Sequence, residues 1–204
     1  MKTSNYILIA LFGFVTVSLL VLFISSRGHE NGENSNFSQK EYPLDSVNVI
    51  VADQEIFINI RTSEKNSLKV RYPKDEKKPE NVYRVSNDTL FVAKAVLSNG
   101  MDMHTDVYVS HLSSLVARSK SDIHIHDFTF NKLEINAYQA RVNFQSSSIE
   151  EAIIQADNSD VSMYLMKGVS IFGKIENNSS LRGDSKNIQK IDMVKDQNSR
   201  FNFY

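Results

Sequence analysis

The sequence predicts an all-β chain: a parallel β-solenoid with coils of about 19–20 residues, preceded by a single N-terminal transmembrane helix. Three observations carry that reading. Apolar and polar residues alternate from Leu44 onward. A short pattern recurs through the second half at a nearly constant spacing, with copies opening at Lys120, Gln139, Asn158, Asn178 and Asn198. One charge-free apolar run stands apart near the amino end.

The apolar run comes first. Tyr6 to Ile24, YILIALFGFVTVSLLVLFI, is unbroken by any charge. At 1.5 Å rise per residue such a helix covers roughly the 30 Å hydrocarbon core of a bilayer. The run ends FISSRGHE, where Ile24 and Ser26 make a poor cleavage pair, so an uncleaved anchor is expected, with a cleaved signal sequence as the alternative. Lys2 and the amino terminus make the leading flank positive, whereas Arg27 is mixed with Glu30 and Glu33 on the trailing side. The positive-inside rule then places the amino end in the cytoplasm and exports the rest to the periplasm or cell surface. The membrane would be a partner through residues 6–24. Three regions follow: an anchor or signal at 1–26, a polar linker at 27–41, and a β domain at 42–204. The linker is assigned on composition, since SSRGHENGENSNFSQK has almost no apolar content.

Within the β domain, Val47, Val49 and Val51 alternate with polar or opposite-facing neighbours, as do Ile56, Ile58 and Ile60, then Leu68, Val70 and Tyr72, then Leu90 and Val92. Period two with β-branched enrichment marks half-buried strands. The charged stretch KDEKKPE at 74–80 reads as a solvated hairpin connection. No apolar stripe at the helical period follows the anchor.

In each repeat copy, a small residue (Ser121, Ala140, Ser159, Ser179, Ser199) stands two before an apolar one (Ile123, Val142, Val161, Leu181, Phe201). A second apolar column runs through Phe130, Ile149, Val169 and Ile188, and a third through Leu133, Ile153, Phe172 and Ile191. Three columns per copy imply three short strands per coil, with equivalent residues stacked at the ~4.8 Å strand spacing. The small residues suit tight corners, and Asn158, Asn178 and Asn198 are expected to stack as an amide ladder.

Pro43–Ile60, with Ser67–Tyr72 after it, resembles the opening of the auto-transporter adhesin head domain family (GIN type) of Bacteroidetes. Asp88–Val92 and Val107–Leu115 resemble its middle, and the Ser-x-apolar-x-apolar copies its tail. The resemblance spans roughly residues 43–204. It implies a β-solenoid exported to the envelope with an adhesive role, and it carries over no functional residues. Corner glycines usual in the family are Ser or Asn here.

Composition narrows the chemistry. With 23 Lys+Arg against 24 Asp+Glu, the net charge of −1 gives no electrostatic footprint for a nucleic acid. The absence of cysteine excludes disulfides, thiolate metal ligands, a cysteine nucleophile and a lipid-modified N-terminal cysteine. There is no Gly-x-Ser-x-Gly, no His-Glu-x-x-His and no phosphate-cradling glycine loop, so no catalytic residues and no cofactor are expected. Asp122, His124 and His126 project from one strand face and are the candidate metal ligands. Against a metal stand Asn143, Ser162, Arg182 and Asn202, which occupy the same column as His124 and read as a wet polar face. Phe201, Phe203 and Tyr204 close the last copy and are the candidate partner-docking residues. The function expected is a non-catalytic, membrane-tethered envelope domain binding a protein or glycan partner across its faces. A scaffold that self-associates through its end coils is the alternative, and a glycan-processing β-helix enzyme the third.

Overall fold

A computed structural model describes residues 36–77, 80–94, 103–164, 169–184, 186 and 188–204, together with Thr16 and Ser18. Contacts divide the chain into Met1–Asn36 and Phe37–Tyr204. The second unit is built of strands in two sheets.

The first sheet has nine strands in the order β1 (Phe37–Pro43), β4 (Ser67–Pro73), β7 (His104–Val109), β3 (Phe57–Thr62), β9 (Asp122–His126), β11 (Arg141–Gln145), β13 (Asp160–Tyr164), β15 (Ser180–Gly183) and β17 (Arg200–Phe203). The second has eight, in the order β16 (Ile188–Lys195), β14 (Val169–Glu176), β12 (Ser148–Asp157), β10 (Thr129–Tyr138), β8 (Ser114–Arg118), β2 (Val49–Asp53), β6 (Thr89–Val92) and β5 (Tyr83–Ser86). From β8 onward the chain alternates between sheets, and each strand pairs in parallel with the strand two further on.

Period-two alternation sets which side of each strand is buried. On β9 Ile123 and Ile125 are buried while Asp122, His124 and His126 face outward, and on β11 Val142 and Phe144 are buried between Arg141, Asn143 and Gln145. Register stacks the inward residues: Ile123, Val142, Val161, Leu181 and Phe201 are successive Cα partners. The second sheet supplies Ile50, Leu115, Ile135 and Ile154 as one column and Ala52, Ala117, Ala137 and Ala156 as the next. Each large member contributes roughly 1.5–3 kcal/mol by leaving water.

The corners between β8 and β9, β10 and β11, and β12 and β13 turn on residues with positive φ: Ser119 and Lys120, Gln139, and Asn158. Non-glycine residues adopt that conformation at a cost, and here neighbouring repeats offset it by satisfying the backbone. Lys120 N–H donates to Gln139 O, Gln139 N–H to Asp157 O, and Asn158 N–H to Glu176 O. The buried serines bind the corners together. Ala140 N–H donates to Ser159 Oγ at 3.0 Å, Ser159 N–H to Ser179 Oγ at 3.1 Å, and Ser179 N–H to Ser199 Oγ at 3.2 Å.

The architecture departs from the expected parallel β-solenoid. Both sheets are mixed, since β1–β4, β4–β7 and β5–β6 pair antiparallel, and the fold is a pair of mixed, mostly parallel sheets rather than a uniform coil. The repeat also carries two strands, not three. The second and third sequence columns lie on the same long strands, and the third is mixed: Leu133, Ala152, Ile171 and Ile191 are the Cα partners, whereas Ile153 and Phe172 align with Glu134 on the other face. Some copies are 19 residues long and others 20, and a slip of one residue carries a side chain to the opposite face of a sheet. The expected asparagine ladder is replaced by the serine ladder, because the buried position at each corner, not the turn residue, meets the backbone of the next repeat. Residues 74–80 link β4 and β5, which lie in different sheets, and are not a hairpin. Strand β1 takes in Phe37–Glu41, at the end of the stretch read as a linker.

The transmembrane helix and the exported location derived from it are likewise withdrawn. No helix among the described residues is long and apolar enough to cross a membrane, and residues 6–24 lie outside the described residues apart from Thr16 and Ser18.

Candidate functional site

The outer face of the first sheet gathers polar side chains into rows. One row passes through Phe57, Asp122, Arg141, Asp160, Ser180 and Arg200, and the next through Asn59, His124, Asn143, Ser162, Arg182 and Asn202. In-register parallel pairing repeats such partners about every 4.8 Å. The rows are cross-linked. Arg141 Nη1 lies 3.1 Å from Asp122 Oδ2, and Asn143 Nδ2 donates to Asp122 Oδ1 at 3.3 Å. Arg182 reaches Asp160 Oδ1 at 3.5 Å, and Ser180 Oγ donates to the same carboxylate oxygen. Farther along, Asn59 Nδ2 donates to Asp106 Oδ1 at 2.9 Å, and Arg71 reaches Asp106 Oδ2 at 3.4 Å. The exposed pairs Arg141–Asp122 and Arg182–Asp160 add little stability, typically about 0–1 kcal/mol each. Their consequence is a nearly neutral, hydrogen-bonding surface.

The metal candidates all lie on this face. His124 Nε2 is 3.2 Å from Asp122 Oδ1 and 3.4 Å from Asn143 Nδ2, and the His124 and His126 rings stack with centroids 6.1 Å apart. Phe57 also packs on His124, tilted, with centroids 4.9 Å apart. Asp122 is thus committed to Arg141, Asn143 and His124, and among the described residues no three His, Cys, Asp or Glu side chains stand where they could hold a metal ion. Burial first, then the Arg61 guanidinium and His124, hold the His126 imidazole below its ordinary value.

A recess of about 460 Å³ opens where this face meets the corners. Lys120, Gln139 and Asn158 line it from three consecutive corners, and Asp122, Arg141 and Asp160 from the first outward positions of β9, β11 and β13. Ser121 and Ala140, both buried, complete the lining. Sequence reasoning marked Lys120 and Gln139 only as the openings of repeat copies, gave Asn158 a place in an amide ladder, and gave Arg141 no role. The signal was the run of long polar residues at one repeat position, which a corner pointed at solvent explains.

The docking candidates are set apart from these rows. Phe201 and Phe203 are partly buried and pack on the core, with Phe203 opposite Gly183, while Tyr204 is 78% exposed. A Cβ on Gly183 would stand 3.2 Å from the Phe203 ring, so glycine leaves that ring its place.

No protein-family model and no curated protein matches the chain. Solved structures do. A "putative adhesin" from Bacteroides fragilis aligns with TM-score 0.46 and 14% identity over 84% of this chain and 98% of its own. A "putative lipid binding protein" from Parabacteroides distasonis gives 0.38 and 12% over 84% and 98%. A "putative cell adhesion protein" from Clostridium sporogenes gives 0.35 and 11% over 82% and 98%.

Proposed function

We propose that the chain is a non-catalytic binding module of the adhesin-head (GIN) type, which holds a linear polyhydroxylated polymer along the outer face of its nine-stranded sheet. The observation behind this reading is the pair of in-register polar rows, Asp122–Arg141–Asp160 and His124–Asn143–Ser162–Arg182, on strands in parallel register. Apart from Ser162, which is buried, these residues offer donors and acceptors on successive strands to a ligand that is itself periodic. Because the carboxylates are taken up by guanidinium and amide partners, the face presents hydrogen bonds rather than an acid–base pair. A glycan array probed with the full chain tests the reading. Retention of at least one linear polysaccharide is expected, weakened by Asn143→Leu. A blank array, or retention untouched by substitutions along both rows, overturns it.

A second reading is self-association of a second copy at β16 and β17, through Phe201, Phe203 and Tyr204. It is favoured by apolar exposure on these last described strands, where Val194 is 64% and Ile191 42% exposed. Size-exclusion chromatography across a concentration series checks it: the wild type should form larger species that Phe203→Lys dissolves, and a concentration-independent monomer sinks it.

A further inference from the structure

The recess at the corners has an uneven distribution of unmet polar groups. Its two carboxylates already have partners: Asp122 takes Arg141 and Asn143, and Asp160 takes Arg182 and Ser180. Its remaining cation does not. The Lys120 ammonium makes no ion pair among the described residues, and the side-chain amides of Gln139 and Asn158 make no hydrogen bond among them. After internal pairing the recess therefore shows one positive charge and two amides. Each amide carries a donor and an acceptor side by side.

Those groups stand in a fixed order. Lys120, Gln139 and Asn158 occupy consecutive corners, with Arg141 paired between Asp122 on one side and Asp160 on the other. At the ~4.8 Å spacing of paired strands they span about 10 Å. A ligand matched to this set carries one anion and, one or two strand spacings away, groups that both donate and accept hydrogen bonds. A sugar acid has that chemistry, a ring carboxylate beside vicinal hydroxyls. Ammonium to carboxylate is a charge-assisted bond, stronger than its neutral counterpart, while paired hydroxyls suit the two-sided amides.

We propose that this recess is a subsite for a uronate residue of an acidic polysaccharide, its carboxylate on Lys120 and its hydroxyls on Gln139 and Asn158. The assignment rests on the reading that the outer face holds a polyhydroxylated polymer, and adds the charge of that polymer and the place where it is recognised. Arg141 is held by Asp122 and shapes the recess. Lys120 discriminates.

Calorimetric titration of the full chain tests this with three probes of equal length: oligogalacturonate, its methyl ester and a neutral galactan oligomer. The acid should bind about tenfold or more tightly than the ester, a preference expected of one charge-assisted contact and eroded by added salt. Lys120→Gln should level acid and ester while leaving the ester unchanged. Gln already occupies the same left-handed conformation at position 139, so the variant keeps its corner. Asn158→Leu should weaken all three probes, and Lys174→Gln, on the second sheet, none. If acid and ester bind alike, or if Lys120→Gln keeps the preference, the uronate assignment falls while the polymer-binding face stands. If the three probes fail but the array retains a neutral polysaccharide, the same holds. If both the probes and the array are blank, the two readings fall together.

Discussion

The two halves of the β unit use the same strand pairing in opposite ways. From β8 to β17 each strand lies beside the strand two positions away in sequence, so the period in the sequence is the period in space. Ile123, Val142, Val161, Leu181 and Phe201 are in register because each stands at the same place in its own copy of the repeat. From β1 to β7 the chain doubles back. Strands β2 and β3 pair with β8 and β9, yet β6 and β7, which follow them in sequence, pair on their far side. Ile58 thus meets Ile123 across a stretch of chain that holds five intervening strands. The lesson is that local spacing specifies the second half, whereas long-range closure specifies the first, where loops must be ordered before contacts form.

Substitutions at equivalent depth break the comparison most severely. Val161 is fully buried in the parallel stack, and Val161→Asp should cost more than about 4 kcal/mol by placing an unpaired charge in the interior. Because each repeat contacts chiefly its neighbours, hydrogen exchange should show protection lost across β11–β17 while β1, β4 and β7 keep theirs. Uniform loss would mean that the halves are one cooperative unit and the contrast is only topological. Gly173→Ala should come next, at roughly 2 kcal/mol or more. Gly173 has φ +125° and its added Cβ would run into the Ile154 carbonyl oxygen, so a chemical melt should shift clearly. A shift within error would show that β14 relaxes freely.

The serine ladder gives a finer test, since it belongs to the parallel half. Ser159→Ala removes the acceptor of the buried Ala140 N–H and should cost about 1–3 kcal/mol. Its reverse, Ala140→Ser, restores a hydroxyl at the one repeat that lacks it and should stabilise by about 0.5 kcal/mol. Equal and negligible effects from both would show the corners to be held by the strands alone. The smallest effect is on pH. The folded His126 imidazole sits below the ordinary His value of 6.5, so the unfolded chain binds the proton more readily. Stability is then full above that value and falls as pH drops through it toward the folded pKa. Thermal melts on either side should show His126→Gln flattening this slope, and an unchanged slope assigns it to other groups.

What the residues disclosed follows the same division. The all-β class, the repeat and the small buried corner residues were legible because alternation and a constant period are local. The number of strands per repeat was not, because Phe130 and Leu133 belong to one strand with an extra residue between its inward positions. Ile153 and Phe172 were misplaced because hydrophobicity alone does not say which face of a strand is inward, and the buried alanines opposite the large residues carry no strong signal. The outward placement of Asp122, His124 and His126 was readable from alternation. Their commitment to Arg141, Asn143 and Phe57 was not, since it depends on which strands lie alongside. The recess combines three corners, and no single copy of the repeat contains it.

The direction of the serine ladder has a consequence for how the chain closes. The corner N–H groups of Ala140, Ser159 and Ser179 are met by a hydroxyl from the following copy of the repeat, whereas Ser121 N–H is met by Arg118 O and Ser199 N–H by Asp196 Oδ1 from within their own copies. Between these two self-closed corners, a chain growing from its amino end carries one hydroxyl-deficient corner at its front, which each new repeat moves forward until Asp196 closes the corner at Ser199. Assembly is therefore vectorial.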